Sequence, residues 1–162
     1  MQIDRHYTKT THDPYANMEF KTVSSEIRDP DGALVSGTGD FTAPAGWSQM
    51  ACDILAQKYF RKAGIPAALK PVKEDDVPEW LWRKETDTKA LNKLAKADRD
   101  VGETDVRAVF DRMAGCWTYW GWKGGYFDRE QDARSYFDEM RFMLVNQIAA
   151  PNSPQWFNTG LH

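Results

Sequence analysis

Thr104-Asp105-Val106-Arg107-Ala108-Val109-Phe110-Asp111-Arg112-Met113-Ala114-Gly115-Cys116-Trp117 is the stretch whose reading settles the architecture of this chain. Val106, Val109, Phe110, Met113, Ala114 and Trp117 recur at three- and four-residue intervals, which places them along one side of a helix. Thr104 is the predicted cap, and the pattern runs on to Trp120. Gly121-Trp122-Lys123-Gly124-Gly125 then breaks it. Asp128, with Gln131 three residues later, has the spacing of a capping box. Ala133, Tyr136, Phe137, Met140, Leu144, Gln147 and Ile148 form the face of a second helix, which Pro151 ends. Helices over about 104–120 and 129–149, joined by a glycine-rich turn, are expected to pack antiparallel. Asp138, Glu139 and Arg141 fall to the solvated side of this reading.

Upstream of that pair the chain changes character. Met18 to Val23 alternates as a half-buried strand does, and Asp29-Pro30-Asp31-Gly32 is a strong turn signal. A β-hairpin over 18–36 follows, with Ser36 to Gly46 read as loop for its glycines and proline. Trp47 to Ala63 is helical, with Ala51, Ile54, Leu55 and Tyr59 on one face and Gly64 closing it. Residues 65–79 form an extended, proline-bearing connector, and Lys89 to Ala97 a solvent-facing helix. Residues 1–17 are polar and aperiodic and are expected to be a mobile arm. The fold class is therefore α+β, mainly α: a hairpin followed by a small helical domain, in one unit over 18–162.

Composition bounds what the chain can do. It has 162 residues, enough for one cored domain or part of a larger one. Charged residues make up 28% and no apolar run approaches a membrane span. The net charge of −3, with both signs mixed, gives no basic stripe for nucleic acid. Neither a membrane nor a nucleic-acid partner is expected, and the polar N-terminus favours the cytoplasm. Cys52 and Cys116 are the only cysteines and the three histidines lie near the termini, so neither a disulfide framework nor a metal site is expected. The lysine in the 121–125 turn lacks the spacing of a phosphate loop. Seven tryptophans point to a core, or to an interface with the rest of a larger protein.

The last dozen residues are Pro151-Asn152-Ser153-Pro154-Gln155-Trp156-Phe157-Asn158-Thr159-Gly160-Leu161-His162. Ser153 reads as an N-cap, Pro154 suits the first helical position and Gly160 is a natural stop. Such a start is either a capped turn or a holder for a phosphate, through its free N–H groups and hydroxyl.

This ending resembles the start of the catalytic domain of ribonucleotide reductases, and with its tryptophan it is similar to the adenosylcobalamin-dependent class II enzymes. Ser25-Glu26-Ile27-Arg28, Gly46-Trp47-Ser48, Asp53 to Gly64, Val77-Pro78-Glu79-Trp80-Leu81-Trp82 and Thr118-Tyr119-Trp120-Gly121-Trp122 extend the resemblance over most of the chain. It implies an enzyme that reduces ribonucleotides to deoxyribonucleotides through a cysteine thiyl radical generated with adenosylcobalamin. It also implies that Ser153 contacts the substrate on its phosphate side, with Asn152 supporting the loop. The family's catalytic cysteines and ten-stranded barrel follow this motif, and Cys52 and Cys116 match none of them. The 162 residues are thus expected to hold no catalytic residue and to be inactive alone. The expected cofactor is adenosylcobalamin, bound by the catalytic portion. The expected partners are the ribonucleotide and the remainder of the reductase or a complementary split subunit, with a homodimer when complete. The alternative is a stand-alone helical interaction module without an enzymatic role.

Overall fold

A computed structural model describes residues 1–160; Leu161 and His162, with which the quoted motif ends, lie outside the described residues. Phe20–Arg28 (β1) and Leu34–Pro44 (β2) pair antiparallel around the expected turn. The Asp29 carboxylate accepts from the N–H groups of Asp31 (3.0 Å) and Ala33 (2.8 Å), which closes that turn. The second strand is longer than its glycines suggest: residues 37–44, expected as loop, continue the ladder. Ser24 pairs with Asp40 and Glu26 with Gly37, so β2 carries one extra residue there. Gly39 accommodates it at φ +67°. Pairing persists beyond this bulge because Phe41 and Ala43 alternate inward and are buried.

Gln49–Ile54 (α1) starts at Ser48, whose hydroxyl accepts from the Ala51 N–H at 3.2 Å. It widens into a π turn over Leu55–Tyr59, and the Phe60 N–H reaches back to the Leu55 carbonyl at 3.1 Å. Phe60 then turns extended (φ −64°, ψ 136°), so the helix expected to reach Ala63 stops short. The buried face is Cys52, Leu55 and Ala56, while Ile54 is exposed. Two short antiparallel pairs follow: Ile65–Pro66 (β3) with Asp100–Val101 (β6), and Leu69–Pro71 (β4) with Lys84–Thr86 (β5). Thr88–Leu91 (α2) and a 3-10 turn at Lys96–Asp98 are all that form of the helix expected over 89–97.

Val106–Lys123 (α3) and Glu130–Val145 (α4) are the expected helix pair. Asp111 faces Arg141, Gly115 faces Phe137 and Gly121 faces Phe127, which is an antiparallel order. Asp105 caps α3 by accepting from the Arg107 N–H at 2.8 Å. Thr104, the predicted cap, instead gives its carbonyl to the Thr42 N–H at 2.9 Å and ties β2 to the start of α3. The helix also runs through Gly121, where glycine makes room for the Phe127 ring, 2.7 Å from where a β-carbon would stand. The break falls at Gly124-Gly125. No capping box forms at Asp128: its carboxylate pairs with the amino group of Met1, and Arg129 stands at the cap with its side chain on Asp132 and not on the helix's free N–H groups. Gln147 adopts φ +57°, and Gln147 and Ile148 are exposed past the helix end. Phe110, Met113, Val106 and Val109 are fully buried against Phe41, Leu55, Val145 and Trp156.

Residues 1–17, expected as a mobile arm, are laid along α4. The Ile3 N–H donates to Asp132 at 3.0 Å, and the Tyr7 and Thr8 N–H groups donate to Glu139 at 3.0 and 2.8 Å. Arg5 pairs with Asp138 at 2.7 Å, and Tyr7 stacks on Phe142 at 5.2 Å. Tyr15 enters the core. Glu139 and Arg141 are therefore buried and not solvated. Arg141 bonds Asp138 at 2.7 Å and lies 4.1 Å over the Phe137 ring. The arm supplies a second covered face to α4, which a single helical stripe does not reveal.

Candidate functional site

Ser153–Asn158 (α5) carries the motif. The helix begins one residue earlier than the sequence suggests: Asn152 stands at the cap in extended backbone (φ −60°, ψ 151°) and Ser153 is already helical. Pro154 has no N–H to offer the Asn152 side chain, and the Gln155 N–H takes the Asn152 carbonyl at 2.9 Å. Asn152 accordingly makes no side-chain cap bond. Ser153, predicted to cap, instead places its hydroxyl 3.1 Å from the hydroxyl of Tyr59.

The inner side of α5 is fixed to the core. Trp156 is buried, donates from its indole N–H to the Pro151 carbonyl at 2.9 Å and stacks on Tyr59 with ring centres 5.0 Å apart. Thr159 is buried, and its hydroxyl and the Trp117 indole N–H both meet the Gln155 side-chain oxygen, at 2.7 and 3.1 Å. Gly160 takes φ +73° with the Arg112 carbonyl where a β-carbon would stand, so this stop is both conformational and steric.

Arg112 of α3 gathers these parts. Its Nη1 donates to the carbonyls of Trp156 (3.1 Å) and Thr159 (3.0 Å), and its Nη2 donates to the Tyr59 carbonyl (3.1 Å). Its Nε donates to Glu103 at 2.6 Å, and the two side chains are 10% and 4% exposed. Glu103 in turn accepts the Arg61 N–H at 2.8 Å. One guanidinium thus joins the π turn, α3 and α5. The outer side differs: Asn152, Ser153 and Phe157 are exposed. Arg112 and Glu103 carry no motif that marks them in the sequence, and Tyr59, within the stretch Asp53 to Gly64, reads there only as one residue of a helix face. The available signal is a charged residue, Arg112, directly beside the apolar positions Phe110 and Met113 of α3.

The other chemically able groups do not converge here. Cys52 is buried and Cys116 half-buried, and burial pushes both thiols up, away from the thiolate form that reacts. One surface depression is lined by Lys70, Glu85, Thr86, Asp87, Thr88 and Lys89. A second is bordered by Asp13, Tyr15, Ala16, Arg107, Asp111 and Arg141. Neither includes a residue of 151–160.

A family model described as class II vitamin B12-dependent ribonucleotide reductase matches residues 21–147. The chain belongs to that family. Vitamin B12-dependent ribonucleotide reductases of Bradyrhizobium diazoefficiens and Agrobacterium fabrum are each 56% identical to it over 162 residues, all of this chain and 13% of theirs. One from Rhodopirellula baltica is 29% identical over 149 residues, 92% of this chain and 11% of that protein. The chain thus spans about an eighth of the length of these relatives.

Neither of the two surface depressions suits the cofactor in those names. Among the described residues, no three His, Cys, Asp or Glu side chains are grouped so as to hold a metal ion. The broad face of a corrin needs apolar cover, and the two depressions are bordered chiefly by charged side chains. No helix among the described residues is long and apolar enough to cross a membrane.

Proposed function

We propose that this chain is the substrate-side N-terminal portion of an adenosylcobalamin-dependent enzyme that reduces ribonucleotides to deoxyribonucleotides. Within it, Ser153 contacts the phosphate side of the ribonucleotide and Asn152 supports the loop. The observation that carries this reading is how the motif is mounted. Its inner residues, Trp156 and Thr159, are buried and held by Arg112, while Asn152 and Ser153 face solvent. A contact residue held this way keeps its position when substrate arrives, which is what orientation of a bound reactant requires. The radical chemistry and the cobalamin belong to the catalytic portion. Cys52 and Cys116 supply no reactive thiolate, and the 162 residues by themselves are catalytically silent. Trp120 at the end of α3 and Phe157 on α5 are 56% and 49% exposed and belong to the surface assigned to the rest of the reductase, in the cytoplasm.

The test uses an active reductase carrying this segment. Ser153→Ala should raise KM for the ribonucleotide by the worth of one charge-assisted hydrogen bond, about 1.5–3 kcal/mol. kcat and cobalamin affinity should stay as they are. An unchanged KM with a lowered melting temperature would show that Ser153 serves α5 alone and would leave the segment as an interaction module.

A further inference from the structure

Resting on the reading of Ser153 as the phosphate contact, we infer that Tyr59 is the positioning residue that orients the Ser153 hydroxyl toward substrate. A serine hydroxyl has one proton and two acceptor lone pairs, and its proton rotates to suit its neighbours. To bind a phosphate oxygen it must send that proton outward. Among the described residues, the hydroxyl that meets Ser153 is that of Tyr59, at 3.1 Å. When the phenol donates to Ser153 Oγ, the serine proton is directed away from Tyr59. A chain then runs from phenol to serine to phosphate, in which each bond strengthens the next.

The surroundings hold the phenol at this point. Tyr59 closes the π turn, a helical irregularity that often marks a working site. Its ring lies on Trp156 at 5.0 Å and against Phe157 at 5.4 Å. Its carbonyl is bound by the same Arg112 guanidinium that binds the carbonyls of Trp156 and Thr159. Two segments 94 residues apart are thereby held in register by one side chain, and their two hydroxyls meet. Packing alone does not account for the phenol oxygen, since phenylalanine would stack equally well.

Tyr59→Phe removes only that oxygen. In an active reductase carrying this segment, we compare Tyr59→Phe, Ser153→Ala and the double variant for KM, kcat and melting temperature. Tyr59→Phe should raise KM about three- to tenfold, the worth of a neutral hydrogen bond. kcat should hold within twofold and the melting temperature within about a degree, as for a surface change. The double variant should match Ser153→Ala, because Tyr59 acts through the serine. If Ser153→Ala raises KM and Tyr59→Phe leaves it alone, the positioning role falls and the serine contact stands. If the two effects multiply in the double variant, or if Tyr59→Phe lowers kcat instead, Tyr59 does not act through Ser153 and the inference is overturned. An unchanged KM in Ser153→Ala overturns the underlying reading itself.

Discussion

Arg112 ties three distant segments together, although it reads in the sequence as one more charge on a helix. Its partners are Glu103 and three backbone carbonyls, and both charges are largely out of water. Removing one member of such a pair leaves the other buried without compensation. Arg112→Ala should cost about 3–5 kcal/mol, measured by urea unfolding. A loss below about 1 kcal/mol, as for an exposed ion pair, would show that water screens this pair. Ser153 was legible as important because the motif around it is distinctive. Its bond to Tyr59 was not, because hydroxyl contacts between segments 94 residues apart leave no spacing to read.

Among the elements, α4 departs furthest from its expected surroundings. Its first face, with Ala133 and Leu144, is visible as helical periodicity. Its second buries Asp132, Ser135 and Glu139, which periodicity assigns to water. The arm brings N–H groups to the two carboxylates, Asp132 and Glu139, and a sequence does not show which distant backbone will cover a carboxylate. The same contacts make the arm sensitive to acid. The Arg129 guanidinium, and then the Ile3 N–H, hold the Asp132 carboxyl down at about 2. Burial opposes ionisation of Glu139, but the bonds from Thr8 and Tyr7 outweigh it and keep its carboxyl below the usual range. Both groups are ionised more readily folded than unfolded, where carboxyls titrate near pH 4. Their contribution to stability is therefore full above that range and is lost as pH falls, for Asp132 through about 2. Protection of the Ile3, Tyr7 and Thr8 amides, relative to the intrinsic exchange rate at each pH, should fall between about pH 4 and 2, ahead of that of the α3 amides. Simultaneous loss of protection in both would show that the arm is not a separate acid-labile unit.

Across its described residues the chain keeps the α+β, mainly helical arrangement that its periodicities announce. The hairpin turn and the helix pair were readable because each rests on local signals: a Pro-Asp-Gly turn and a repeat of three and four. The extension of β2 past Gly39, the π turn and the pinned arm were not, because each is settled by what packs across from it. The Arg112 junction shows the same dependence on distant partners, and it has a consequence in time. Arg112 is separated by 53 residues from Tyr59, by 44 from Trp156 and by 47 from Thr159. Closing loops of that length costs entropy before any of these bonds forms. The segment 151–160 is thus expected to be a late arrival, added once the hairpin, the π turn and the helix pair have come together. Arg112→Ala should speed unfolding far more than it slows refolding in stopped-flow mixing experiments, as a contact absent from the transition state does. A refolding rate reduced in proportion to the lost stability would place the junction in the nucleus instead. Late formation also means early release: damage near Arg112 should free the Asn152-Ser153 loop while the helices beneath it still stand, and on the proposed reading of Ser153 the hold on nucleotide would go before the shape.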